Sequence, residues 1–254
     1  MKDSQIQDLA DRFCSILMAH ASHGIATSSL EEMGEITLRD GLIVAAAAAG
    51  ASQKQAWIFK REELPAGWSD SAVDLTIYRR GNNEESKTVG AVELKWWRQT
   101  DSANASNRRR DLTKDFIRAA SNYKNVESFS FVALLSTEVS WSATTSTTAG
   151  DKDVMALVTG PGTQKWNLGQ LADSPGIRSA VQALGFRLPI PTAFHTKLLA
   201  TFDLHLASGR TASARIWSVI KPQRTTYLAE AELESKFGVK KRKKKETSSE
   251  DKDN

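Results

Sequence analysis

Two short apolar segments joined by a polar stretch constrain this chain more than any other feature. Residues 73–78 (Val-Asp-Leu-Thr-Ile-Tyr) and 89–96 (Val-Gly-Ala-Val-Glu-Leu-Lys-Trp) both alternate in the manner of half-buried strands. Between them, residues 79–87 run Arg-Arg-Gly-Asn-Asn-Glu-Glu-Ser-Lys, a composition that suits a hairpin connection. Side chains two apart on a strand share a face. Asp74, Thr76 and Tyr78 therefore lie on one face of the first strand, with Val73, Leu75 and Ile77 on the other. Glu93 and Lys95 share a face of the second strand, opposite Val92, Leu94 and Trp96. If the two polar faces coincide, two carboxylates and one ammonium meet on a single surface.

That set suits a divalent cation and a phosphodiester. Mg²⁺ prefers hard oxygen ligands and is commonly held by one or two carboxylates, with water and phosphate oxygens completing its octahedron. Such an ion polarises phosphorus and lowers the pKa of a water. A neighbouring lysine can orient that water or offset charge developing on the phosphate. The plain alternative is an amphipathic hairpin whose solvated face happens to carry Asp, Glu and Lys.

The order Asp74, a spacer, then Glu93-Leu94-Lys95 resembles the PD-(D/E)XK nuclease superfamily over about residues 30–135. Val73 stands where the family's name has proline. The resemblance implies an α/β class: a restriction-endonuclease-like core with a mixed central sheet flanked by helices. It implies that Asp74, Glu93 and Lys95 are catalytic. Mg²⁺, with Mn²⁺ able to substitute, would be held by Asp74 and Glu93, with a third oxygen from the Leu94 backbone or from Glu35. Lys95 would position the attacking water. DNA is the substrate so implied, in restriction, repair or anti-phage defence. A helicase or other defence-system subunit is an expected partner, and a second copy of the chain is another. Two rival classes stay open: a non-catalytic binding module that keeps the fold, and an interaction subunit active only with its partner.

Two flanking segments support the resemblance. Upstream, Ser28 and Ser29 followed by Glu31 and Glu32 start like a capped helix, which the sequence carries on to Gly50. Leu38, Leu42, Ala45 and Ala46 form its apolar stripe, and Glu35 falls within it. An inward glutamate is costly unless paired or bound to a metal. Glu35 is therefore the first choice for an additional ligand and Glu31 the second; both could instead simply favour the helix dipole. Downstream, residues 107–123 read as a helix with Leu112, Phe116, Ala119, Ala120 and Tyr123 on one side. Residues 107–124 hold six basic and two acidic side chains, +4 locally. Arg108, Arg109, Arg110, Lys114 and Arg118 are the expected phosphate contacts. Asp115, at the edge of the apolar side, is instead placed to pair with an active-site lysine.

Charge elsewhere is uninformative about a binding face. Residues 240–254 hold seven basic and four acidic side chains, which is +3 of the chain's +4. The body is close to neutral, so any nucleic-acid site there depends on local clustering. Residues 1–239 read as one nuclease-like domain, with a core of about 28–160 and an extension of about 161–239; residues 240–254 read as a disordered lysine-rich tail. The single cysteine, Cys14, rules out an internal disulfide and fits a reducing cytoplasm. No apolar run reaches the ~18 residues of a membrane span, and residues 1–5 do not resemble a signal peptide.

The remaining segments are placed coarsely. Residues 5–21 form an amphipathic helix, and 129–135 a buried strand. Residues 136–150 form a Ser/Thr-rich loop, and 154–158 a further strand closing the central sheet. A helix lies near 177–184, and a β-hairpin extension near 201–206 and 214–220. His20 and His23 lack further ligands at zinc spacing. No GxxxxGK[ST] loop is present, so ATP hydrolysis is not expected from this chain. Trp96 and Trp97, following the lysine, are expected in the core, with stacking on a base as the alternative.

Overall fold

The alternation at residues 73–78 and 89–96 is realised as two antiparallel strands at the heart of a seven-stranded sheet. This computed structural model describes residues 1–80, 87–99, 104–122, 125–146, 151–207, 209–220 and 226–240. The chain begins with α1 (Asp3–Ala26), a 3₁₀ turn (Leu30–Glu32) and α2 (Glu35–Ser52). It continues through β1 (Trp57–Glu63), β2 (Val73–Arg79), β3 (Lys87–Trp97), α3 (Ala105–Asn122) and β4 (Phe129–Thr137). Next come α4 (Glu138–Thr145), α5 (Lys152–Thr159), β5 (Thr163–Asn167) and α6 (Pro175–Leu184). The last elements are β6 (Ala193–Leu206), β7 (Gly209–Ile220) and α7 (Glu230–Phe237).

The sheet is mixed, in the order β1-β2-β3-β4-β7-β6-β5. Only β3 and β4 run parallel, joined by the α3 crossover; the other neighbours are antiparallel. Parallel neighbours need such a crossover, usually a helix, and it buries the sheet between them. Every residue of β4 is buried. Helices cover both faces. α1 and α2 bury Leu9, Phe13, Leu17, Leu38 and Leu42 against Leu75, Val92, Leu94 and Phe131. α3 to α7 bury Phe116, Val154, Ile177 and Phe237 against Ala91, Val132, Leu134 and Trp217. Phe116 holds α3 down, its ring 5.2 Å from Trp166 and edge-on to Trp217 at 5.6 Å.

An α/β core, the β2–β3 hairpin, the first helix and the α3 stripe all match their sequence expectations. Four segments differ. The helix expected from Ser28 does not run through: Ser28 adopts a left-handed φ of 56°, a short 3₁₀ turn follows, and α2 starts afresh after Gly34. Residues 152–159 form α5 rather than a sheet-closing strand. Val154, Met155 and Val158 point inward at helical spacing, a pattern that five consecutive apolar residues leave open. The Ser/Thr-rich loop contains α4, whose cap is Thr137 accepting a hydrogen bond from the Ser140 amide at 3.3 Å. The hairpin placed outside the core belongs to the central sheet, because β7 pairs with β4 from Phe131↔Ser218 to Thr137↔Ala212. β1, β5 and α7 have no counterpart in the sequence reading. The polar connection at 81–86, Tyr123 and the tail at 241–254 lie outside the described residues. Among the described residues no helix is long and apolar enough to cross a membrane.

Candidate active site

β2 and β3 pair with Leu75 opposite Val92 and Thr76 opposite Ala91, a register that brings Asp74 beside Glu93. The Leu94 amide donates to Asp74 Oδ2 at 2.7 Å, which locks the aspartate across the two strands. Glu93 and Lys95 project toward α3, while Leu94 and Trp96 enter the opposite core. The coincidence of polar faces expected from the alternation is therefore present. The β3–α3 contact adds two residues. Asp115 and Arg118 stand one turn apart on α3 and face β3 directly.

The result is a chain of alternating charges. Glu93 Oε2 lies 3.0 Å from Arg118 Nη2, Arg118 Nη1 lies 3.5 Å from Asp115 Oδ1, and Asp115 Oδ2 lies 3.6 Å from Lys95 Nζ. Lys95 Nζ is also 3.8 Å from Glu35 Oε1, an oxygen that accepts the Trp96 amide at 3.1 Å. Glu35 is the first residue of α2 rather than a mid-helix residue, and its side chain is 44% exposed, yet it reaches the site. Glu31 accepts from the Gln99 amide at 3.1 Å, just beyond the end of β3.

Burial sets the electrostatics. Glu93 and Asp115 are each 1% exposed. Desolvation pushes the Glu93 carboxyl well above the usual range, with Asp74 and Asp115 adding to it and Arg118 opposing. Asp115 rises to about 6 through desolvation, against the pull of Lys95 and Arg118. Asp115, ahead of Glu35, Asp74 and Glu93, raises Lys95 and keeps it an ammonium. Arg118 also stays charged: burial opposes, but Glu93, Asp115 and Asp74 outweigh it.

Among the described residues, no three of His, Cys, Asp and Glu converge as a ready-made metal cage. Mg²⁺ does not require one, because one or two carboxylates with water and phosphate suffice. The buried Glu93 carboxylate meets Arg118 Nη2 at Oε2, 3.0 Å away, while its Oε1 has no hydrogen-bond partner among the described residues. Asp74, Glu93, Asp115 and Glu35 gather around Lys95 and Arg118, with Lys114 also acting on Asp115. A buried carboxylate with an unpartnered oxygen, whose charged form burial disfavours, fits a hard cation that would favour that form.

A cleft of about 420 Å³ opens over Glu35 and Lys95, lined also by Arg98, Arg108 and Asp111. The expected phosphate contacts divide there. Arg108 lines the cleft, and its Nη2 donates to the Arg98 carbonyl at 3.0 Å. Arg110 and Lys114 lie at the surface, each beside Asp111, at 3.1 and 3.6 Å. Two are corrected. Arg109 turns inward to Asp151 at 2.9 Å and the Thr144 carbonyl at 3.1 Å, so it ties α3 to α4 and α5. Arg118 is bound to Glu93 and the Ala72 carbonyl inside the site. Trp96 and Trp97 are both buried, in keeping with core packing. Sequence reasoning gave Asp115 as a partner for the lysine but missed Arg118 as part of the acidic cluster. The Asp115–Arg118 spacing on the flank of an amphipathic helix was the available signal. Comparison with family models, curated proteins and solved structures finds no match to this chain.

Proposed function

We propose that this chain is a Mg²⁺-dependent nuclease of PD-(D/E)XK type that hydrolyses phosphodiester bonds in DNA, in a bacterial defence role. One observation carries the reading: Asp74 stands beside Glu93-Leu94-Lys95 across a strand pair, with the Glu93 carboxylate buried and its Oε1 without a hydrogen-bond partner among the described residues. Asp74 and Glu93 would hold the ion, with the Leu94 carbonyl and Glu35 as further oxygens. When bound, Mg²⁺ supplies Lewis-acid polarisation of the phosphate and a lowered pKa for a water. Lys95, held as an ammonium by Asp115, orients that water and balances charge developing on the phosphate. Arg108, which lines the cleft, and Arg110 and Lys114, which flank the cleft residue Asp111, supply the cations that place a nucleic-acid backbone.

The Glu93–Arg118 ion pair favours a second reading, in which the chain holds DNA or a protein partner without cutting, or cuts only beside a helicase-like subunit. Cleavage of linear, supercoiled and single-stranded DNA with Mg²⁺ or Mn²⁺ separates the two. Wild type cuts, and Lys95→Ala lowers the rate by about 10²-fold or more with its melting temperature and DNA binding largely retained. Arg118 remains to balance Asp115 in that variant, which is why the fold survives. Retained cleavage by Lys95→Ala would remove the assignment. No cleavage by wild type, with no stabilisation by Mn²⁺ beyond a salt control, would favour the second reading.

A further inference from the structure

The unusual element of the site is Arg118. A buried carboxylate needs a compensating charge, and here an arginine from the next helix supplies it. The fit is incomplete. Arg118 Nη2 donates to the Ala72 carbonyl while also lying 3.0 Å from Glu93 Oε2, so one nitrogen is shared between two oxygens. Its other arm already lies 3.5 Å from Asp115, whose second oxygen faces Lys95. The side chain is 12% exposed, so it cannot simply leave for solvent.

We propose that Arg118 is the resident counter-cation of Glu93, occupying the carboxylate until a divalent cation displaces it onto Asp115. This inference rests on the metal reading above. The reasons are electrostatic. A divalent ion and a guanidinium on one carboxylate repel each other in a medium where charges are poorly screened. The divalent ion carries the higher charge and can use the Glu93 oxygens together with Asp74. Asp115 lies within reach of Arg118 and is itself buried, so the displaced arginine keeps a partner. Asp115 thereby acts as a positioning residue for two cations, Arg118 and Lys95. Arg118 restrains metal binding and keeps the metal-free site intact.

Mn²⁺ titration by calorimetry, with melting curves with and without MnCl₂, tests this on the full chain. Arg118→Met keeps the stem and removes the charge. The expected result is a Kd for Mn²⁺ lower than wild type by about tenfold or more, the equivalent of ~1.4 kcal/mol, together with a lower metal-free melting temperature and a larger rise on adding MnCl₂. A purely structural role would weaken metal binding instead. Arg118→Gln, which retains a donor for the Ala72 carbonyl, is read by the same criterion if Arg118→Met does not fold. Unchanged or weaker Mn²⁺ binding in the variant, with wild type binding normally, overturns the inference and leaves the nuclease reading standing. Absence of Mn²⁺ binding in both wild type and variant overturns the two together.

Discussion

At the scale of single residues, period-two alternation was enough to bring Asp74, Glu93 and Lys95 to one face, because a strand gives each side chain only two directions. Arg118 was harder to read. It shares a helix side with Asp111 and Lys114, and in sequence that side resembles a solvated, phosphate-facing surface. The packing of Phe116 against Trp166 and Trp217 rotates this flank onto β3, and Arg118 meets Glu93. Cys14 shows the same burial acting on a simpler group. Its thiol donates to the Ala214 carbonyl at 3.3 Å, and desolvation pushes it up to about 12 from an ordinary 9.0. Because the folded value lies above the unfolded one, the stability it contributes is complete below pH 9 and declines as pH rises toward 12. Native protein should resist Ellman's reagent at pH 8 and react fully once denatured. Wild type should also lose stability relative to Cys14→Ala above pH 9 in parallel urea titrations. Rapid labelling of the native protein would contradict this.

Secondary elements were legible where a long period was present and ambiguous where it was short. The stripes of α1 and α3 gave helices in the right places, whereas five apolar residues at 154–158 fit a strand or a helix equally, and the structure forms α5. Gly90 shows how tightly the central strands meet. It pairs with Ile77 on β2 and Phe129 on β4, and a Cβ there would lie 2.2 Å from the Phe129 ring. That ring is buried and packs 4.6 Å from Phe131, so it has little room to yield. Gly90→Ala should destabilise the protein by about 1–3 kcal/mol, the usual cost of overpacking a core, seen as a lower urea midpoint with an unchanged slope. A midpoint equal to wild type would show that Phe129 repacks freely. Since β3 carries Glu93 and Lys95, the same substitution should also lower Mn²⁺ affinity.

Over the whole molecule, the decisive fact is that β7 lies against β4 and continues the sheet into β6 and β5. Residues beyond about 160 therefore complete the core that covers α3 rather than decorating it. Trp166, Phe194 and Trp217 all belong to the cluster that buries Phe116, the neighbour of Asp115. A fragment ending at Gly160 would leave β4, buried along its whole length, as an open edge. Such a fragment should aggregate or stay unfolded, and the full chain should melt in one cooperative transition by both far-ultraviolet circular dichroism and tryptophan fluorescence. A folded, monomeric fragment 1–160 would show that the site needs only the first part of the sheet.

The amino-acid sequence by itself determined the central hairpin, the helices that flank it and the facing of Asp74, Glu93 and Lys95. Each of these follows from local periodicity, which neighbouring residues fix through backbone geometry. Tertiary structure alone decided three things: that α3 turns Arg118 onto Glu93, that Arg109 is spent on Asp151, and that the last hairpin joins the central sheet. These depend on contacts between residues far apart in the chain, and on how desolvation forces buried charges to find partners. A one-dimensional pattern of polar and apolar residues carries neither.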